Sequence, residues 1–140
     1  MRLVLDTNVV ASGLLWDGGP PARLLDAASA HGVELFTSTA LLAELRRILA
    51  REKFAPHAGA SGLSIDELVL GYAALASVVA PASISPVIAR DPDDDRVLAC
   101  ALAAQAELIV SGDHRLLNLK TYHRIGIVDP AEAVRRVALA

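Results

Sequence analysis

Short apolar runs rich in β-branched residues alternate along the chain with longer stretches whose apolar positions recur every three or four residues. Leu3-Val4-Leu5 reads as a buried strand ending at Asp6. Pro20-Pro21 opens a helix to about Ala30, where His31-Gly32 stops it. Val33–Thr37 is a second strand, after which Ser38 or Thr39 caps a helix running through Arg51. Ser64 with Glu67 three residues on has capping-box spacing and predicts a helix to about Val79. Asp91-Pro92 opens another, through about Ala106, because proline suits the first helical position. Leu108-Ile109-Val110 is a strand ending at Ser111-Gly112-Asp113. Ile125–Val128 is the last strand, and Asp129-Pro130-Ala131-Glu132 caps a terminal helix. The pattern predicts one domain over residues 1–140, an α/β fold of three layers, α/β/α, around a central parallel sheet. Such sheets bind ligands beyond the carboxyl ends of their strands, where Asp6 and Asp113 both fall.

Composition narrows the class. Of 140 residues, 54% are hydrophobic and 21% charged, too apolar and too weakly charged for a disordered chain. Apolar stretches such as Leu68–Ala80, interrupted by Gly71, are too short to span a bilayer. Met1–Asp6 reads as a strand and not as a basic leader, so a cytoplasmic location without membrane association is expected. Cys100 is the sole cysteine, which excludes an internal disulfide and a cysteine-rich zinc site.

A net charge of −3, taken alone, argues against a nucleic-acid binder, which usually shows a basic face. The distribution changes that picture. Arginines cluster at Arg46, Arg47 and Arg51, and acids at Asp91, Asp93, Asp94 and Asp95. A pocket of carboxylates makes the sum negative whatever its substrate.

Four acids stand out. Asp6 ends a strand, where a plain helix cap also explains it. Glu44 sits on the apolar stripe of Leu41, Leu45 and Ile48, a costly place for a carboxylate unless it is paired or metal-bound. A salt bridge to Arg47 is the simpler account. In the run from Asp91, most acids read as helix-start chemistry, favoured by the dipole. Asp95 lies on the line of Leu98, Ala99 and Leu102, whereas the line through Asp94 runs into Gln105, so Asp95 is the acid expected to point inward. Asp113 repeats the strand-then-acid pattern of Asp6. Carboxylates gathered in one pocket repel, so such a cluster generally exists to hold cations. All-oxygen donors select Mg²⁺ or Mn²⁺ over zinc, and a divalent ion on carboxylates suits phosphoryl hydrolysis.

The ordered segments Leu3-Val4-Leu5-Asp6-Thr7-Asn8, Leu41-Leu42-Ala43-Glu44-Leu45, Asp94-Asp95-Arg96-Val97-Leu98-Ala99-Cys100-Ala101 and Ser111-Gly112-Asp113 together resemble the PIN-domain family. The likeness covers essentially the whole chain and is strongest to VapC-like toxin components of type II toxin–antitoxin pairs. It implies a Mg²⁺- or Mn²⁺-dependent endoribonuclease acting on RNA. Asp6, Glu44, Asp95 and Asp113 match the family's acidic quartet, with Asp6, Asp95 and Asp113 as metal ligands. The run Asp93-Asp94-Asp95 leaves the third position open by one residue. Thr7, Asn8 and Ser111 match positions that line the site. The resemblance further implies a homodimer and a small antitoxin partner, with Leu14, Leu15, Trp16 and Phe54 as candidates for exposed apolar surface.

Two other readings compete. A haloacid-dehalogenase-type phosphatase also starts with a strand and an aspartate, but wants a second acid where Asn8 stands. A catalytically silent binding module would have no reason to keep four mutually repelling acids. His31, His57, His114 and His123 lack metal-ligand spacing, although His114 adjoins Asp113. Cys100 on an apolar helix reads as a core residue. Trp16 has the chemistry to stack on a base, or to serve packing or a partner interface.

Overall fold

The structure is a computed structural model in which residues 1–85 and 92–139 are described. Strand β1 (Arg2–Leu5) leads directly into helix α1 (Thr7–Leu15), followed by α2 (Pro20–Ser29) and β2 (Glu34–Thr37). Helices α3 (Thr39–Leu49), α4 (Ala55–Ala60) and α5 (Ile65–Leu75) precede the short β3 (Ser77–Val78). Then come α6 (Pro92–Ala104), β4 (Leu108–Val110), α7 (His114–Leu119), β5 (Thr121–Tyr122), β6 (Ile125–Val128) and α8 (Pro130–Leu139).

The six strands form one sheet in the order β3-β2-β1-β4-β6-β5. Every pairing is parallel except β5 with β6, so the sheet is mixed by one short edge strand. The expected α/β/α layering follows from the pleat, because successive side chains point to opposite faces. Leu3 and Leu5 of β1, with Leu35, Leu108, Val110 and Val128, face the side covered by α1, α2, α3, α5 and α8. Val4, Phe36, Ile109 and Ile127 face the other side, covered by Val97, Leu98, Cys100 and Ala101 of α6 and Leu116 of α7. Strands buried on both faces read as continuous apolar runs, as Leu3-Val4-Leu5 does.

Several elements, the short edge strands β3 and β5 among them, depart from expectation. Helix α1 begins at Thr7 with no intervening loop, hidden in the sequence by the β-branched pair Val9-Val10. It packs closely on α2 at Gly13, where a Cβ would stand 3.0 Å from the Pro21 carbonyl oxygen. Helix α5 ends at Leu75 and not near Val79, because Ser77 and Val78 pair with Phe36 and Thr37 instead. Short helices α4 and α7 lack enough turns to show periodicity. The expected cap Asp91 lies outside the described residues. Among those described, no helix is long and apolar enough to cross a membrane.

The strand order reverses between β1, which is followed in the chain by its neighbour β2, and β4 on its other side. A crevice opens beyond their carboxyl ends at such a switch point.

Candidate functional site

Asp6 stands at the exit of β1 with extended backbone angles, φ −61° and ψ 148°. Its amide donates to the Val110 carbonyl across the sheet at 2.8 Å, and its own carbonyl accepts from Val9 and Val10. It therefore ends a strand and caps a helix at once. Both carboxylate oxygens are engaged: Oδ1 accepts from the Thr7 amide and Oδ2 from Ser111 Oγ, each at 2.8 Å. Ser111, fully buried at the exit of β4, also accepts the Asp113 amide on its hydroxyl at 3.0 Å. One serine thus ties together the acids of two strand ends.

Asp113 caps α7, its Oδ1 accepting from the Arg115 amide at 2.9 Å. The Arg115 guanidinium reaches Asp113 Oδ2 at 3.2 Å and Asp94 Oδ2 at 3.6 Å. Burial pushes the Asp113 carboxyl up, but the Arg115 amide and guanidinium and a hydrogen bond to Asp94 outweigh it and hold it below the usual range.

Glu44 is buried on α3, as its place on the apolar stripe demanded. The simpler account of that burial holds: Arg47 donates to Oε2 at 2.5 Å and Arg51 to Oε1 at 3.4 Å. Glu44 also lines a cavity of about 180 Å³ together with Asp6, Asp94 and Asp113. Thr7, Asn8, Arg51, Asp93 and Arg115 complete the lining.

Asp95 is not among them. Asp94, only 5% exposed, takes the place expected for it, while Asp95 borders a separate cavity with Ser38, Ala82 and Ala99. The cause is helical register. The deepest stripe of α6 is Val97, Leu98 and Ala101, each 1% exposed or less, and Asp94 precedes these by three, four and seven residues. Asp95 lies on the flank with Leu102, which is only half-buried. Gln105, which misdirected the sequence reading, falls beyond the last helical residue with φ 50°.

A second, larger groove of about 470 Å³ opens from the same acids, sharing Asp6, Asn8, Asp113 and Arg115 and continuing past Ser12, Lys53 and Phe54. Thr7 is buried and Asn8 exposed, facing both spaces. His114 is exposed and borders neither. Of the apolar residues expected at the surface, Trp16 is 39% exposed but Phe54 only 3%, sunk beneath the groove wall. The sequence reading missed Arg51 and Arg115. Their signal was a cation one helical turn from Glu44's own partner, and one two residues past Asp113.

The donor set, carboxylates with the Thr7 hydroxyl and the Asn8 amide oxygen beside them, is all oxygen and fits a hard divalent cation better than zinc. Among the described residues, no three His, Cys, Asp or Glu side chains stand in a ready metal-holding arrangement. Arginines carry the neutralising charge here, so a cation would have to displace Arg115 from Asp94 and Asp113.

The family model for the PIN domain matches residues 2–115, which include every acid of this cavity. An uncharacterized protein of Methanocaldococcus jannaschii, MJ1680, is 25% identical over 120 residues, covering 86% of this chain and 76% of that protein. Among solved structures, the chain is similar to one from the crystal structure of VapBC2 from Rickettsia felis bound to a DNA fragment from their promoter. The TM-score is 0.58 at 12% identity, over 91% of this chain and 97% of the other. That likeness is one of fold.

Proposed function

The chain belongs to the PIN-domain family, and on that premise we propose that it is a divalent-metal-dependent endoribonuclease, the toxin of a toxin–antitoxin pair. The carrying observation is that Asp6, Glu44, Asp94 and Asp113, scattered through the sequence, line one cavity at the β1/β4 switch point. Family members are generally nucleases that use divalent metals, and the similar VapBC2 chain comes from a complex on promoter DNA. Both support the reading.

Asp6, Asp94 and Asp113 would hold Mg²⁺ or Mn²⁺, with Glu44 completing the acidic wall. The chemistry such an ion supplies when bound is neutralisation of a scissile phosphate and a lowered pKa for water. Ser111 fixes the rotamer of Asp6, so its carboxylate is held at the cavity without searching. Arg47 and Arg51 hold the Glu44 carboxylate in place against its apolar helix face. Arg115 releases Asp94 and Asp113 and turns to the anionic substrate.

The test is cleavage of single-stranded RNA by purified protein in Mg²⁺ or Mn²⁺ against a chelator control. Asp6→Asn should abolish the activity and remove the rise in melting temperature that millimolar Mn²⁺ gives wild type. RNA left intact by wild type under every metal condition overturns the proposal. As a toxin, the protein forms a homodimer and is neutralised by a small antitoxin. Light scattering giving a monomer at micromolar concentration counts against the first. A neighbouring reading frame that encodes no small protein able to suppress cleavage counts against the second.

A further inference from the structure

We infer that the groove leading away from the acid cavity is a single-stranded RNA track that ends in a base-stacking platform on Trp16; this rests on the nuclease reading and adds a subsite to it. Helix α1 starts at the acids and runs along the groove. Asn8 and Ser12, one turn apart on it, line the groove wall, and Trp16, the C-cap residue that ends the helix, packs against Phe54 of the same groove. At 1.5 Å per residue, Trp16 lies about 15 Å from Asp6, room for a short run of nucleotides between cleavage point and platform.

The opposite wall carries the complementary chemistry. Lys53 Nζ sits 5.3 Å above the Phe54 ring and borders the groove, as does Arg115 near the acids. Phe54 in turn packs against Trp16, with ring centroids 5.8 Å apart, and the exposed His57 lies 4.6 Å from the same indole. Phe54 and His57 thus hold the indole in place while 39% of Trp16 stays open to solvent. A polar groove that leads past a lysine to a partly exposed tryptophan braced by two other rings has the parts with which proteins grip a single strand without reading its sequence. A partner helix would instead need an apolar channel, which Asn8, Ser12 and Lys53 do not offer.

Trp16 is the chain's sole tryptophan, so its emission reports on this point alone. The experiment titrates the cleavage-deficient Asp6→Asn protein, in Mg²⁺, with a short end-labelled oligouridylate and follows both label anisotropy and tryptophan emission. The emission should quench along the same curve as the anisotropy rises. Trp16→Ala should weaken binding by about five- to a hundredfold, with Trp16→Tyr recovering part of the loss. Lys53→Gln should reduce the salt slope of binding by about 0.7. Binding by anisotropy with unchanged emission, and equal affinity in Trp16→Ala, overturns the platform while the nuclease reading stands. Trp16→Ala that keeps its RNA affinity but loses the small protein partner makes the face a protein interface and equally overturns it. Wild type that neither binds nor cuts RNA removes the underlying nuclease reading instead.

Discussion

Ser111 Oγ donates to Asp6 Oδ2 at 2.8 Å, joining two residues that are 105 positions apart in the chain but adjacent at the ends of β1 and β4. The bond orients a carboxylate that would otherwise rotate, and it does so from a fully buried hydroxyl. Outer partners of ligating side chains are typically worth 10- to 100-fold in metal affinity or activity. Ser111→Ala should therefore raise the Mn²⁺ concentration needed for half-maximal cleavage by about tenfold or more. A metal titration of activity measures it, and an unchanged midpoint would show that Asp6 holds its orientation unaided.

Asp94 and Asp95 make the sharpest pair. Asp94→Asn removes an acid from the cavity and should cost about two orders of magnitude or more in cleavage rate. Asp95→Asn changes a residue of a different cavity and should stay within a few-fold of wild type. Single-turnover rates on one RNA substrate decide between them. The opposite ranking would place the active register of α6 one residue away from the one described.

The depressed Asp113 carboxyl carries a pH signature. A group whose folded pKa lies below its unfolded value, about 3.9 for aspartate, contributes stability that is present above that value. The contribution disappears as pH falls through the lower, folded pKa. Arg115→Gln removes the guanidinium, so the Asp113 pKa should rise and the protein should lose acid stability at a higher pH than wild type. Carboxyl ¹³C titration of metal-free protein follows the residue directly. An Asp113 midpoint that does not move would assign the depression to other donors.

Cys100 is fully buried on α6, and burial pushes its thiol up to about 12. Near pH 8 the native thiol is neither ionised nor accessible, so a thiol-specific reagent should react only as fast as the protein opens. Denaturant should release one fast equivalent. Immediate reaction of native protein would mean that α6 leaves the sheet readily.

The Tyr72 hydroxyl is buried in the core of the α1-side layer and finds no hydrogen-bond partner among the described residues. Desolvation also holds its pKa above the usual range. Removing a buried, unsatisfied hydroxyl is expected to stabilise, by about 1 kcal/mol or more. Tyr72→Phe should therefore melt about 2–4 °C higher than wild type. A lower melting temperature would reveal a partner for the hydroxyl.

The alternation of short apolar runs with amphipathic stretches was sufficient to determine the layered architecture. Leu3-Val4-Leu5 and Leu108-Ile109-Val110, apolar on successive residues, call for strands covered on both faces, as in the middle of a layered sheet. It also determined that Asp6 and Asp113 stand at strand exits and that Glu44 faces inward, because each follows from its neighbours a few residues away. Tertiary structure decided the rest. Asp94 and Asp95 differ by 100° around one helix, and which of them faces the acids depends on how deeply α6 settles Val97, Leu98 and Ala101 onto Val4 and Ile109. Helix α1 exists as such because Asp6 pairs with Val110 and caps Thr7 together, a double role no local pattern announces. Likewise Ser77 and Val78 leave the helical course of α5 for the edge beside β2, since an open strand edge supplies hydrogen bonds that helix propensity alone cannot outbid.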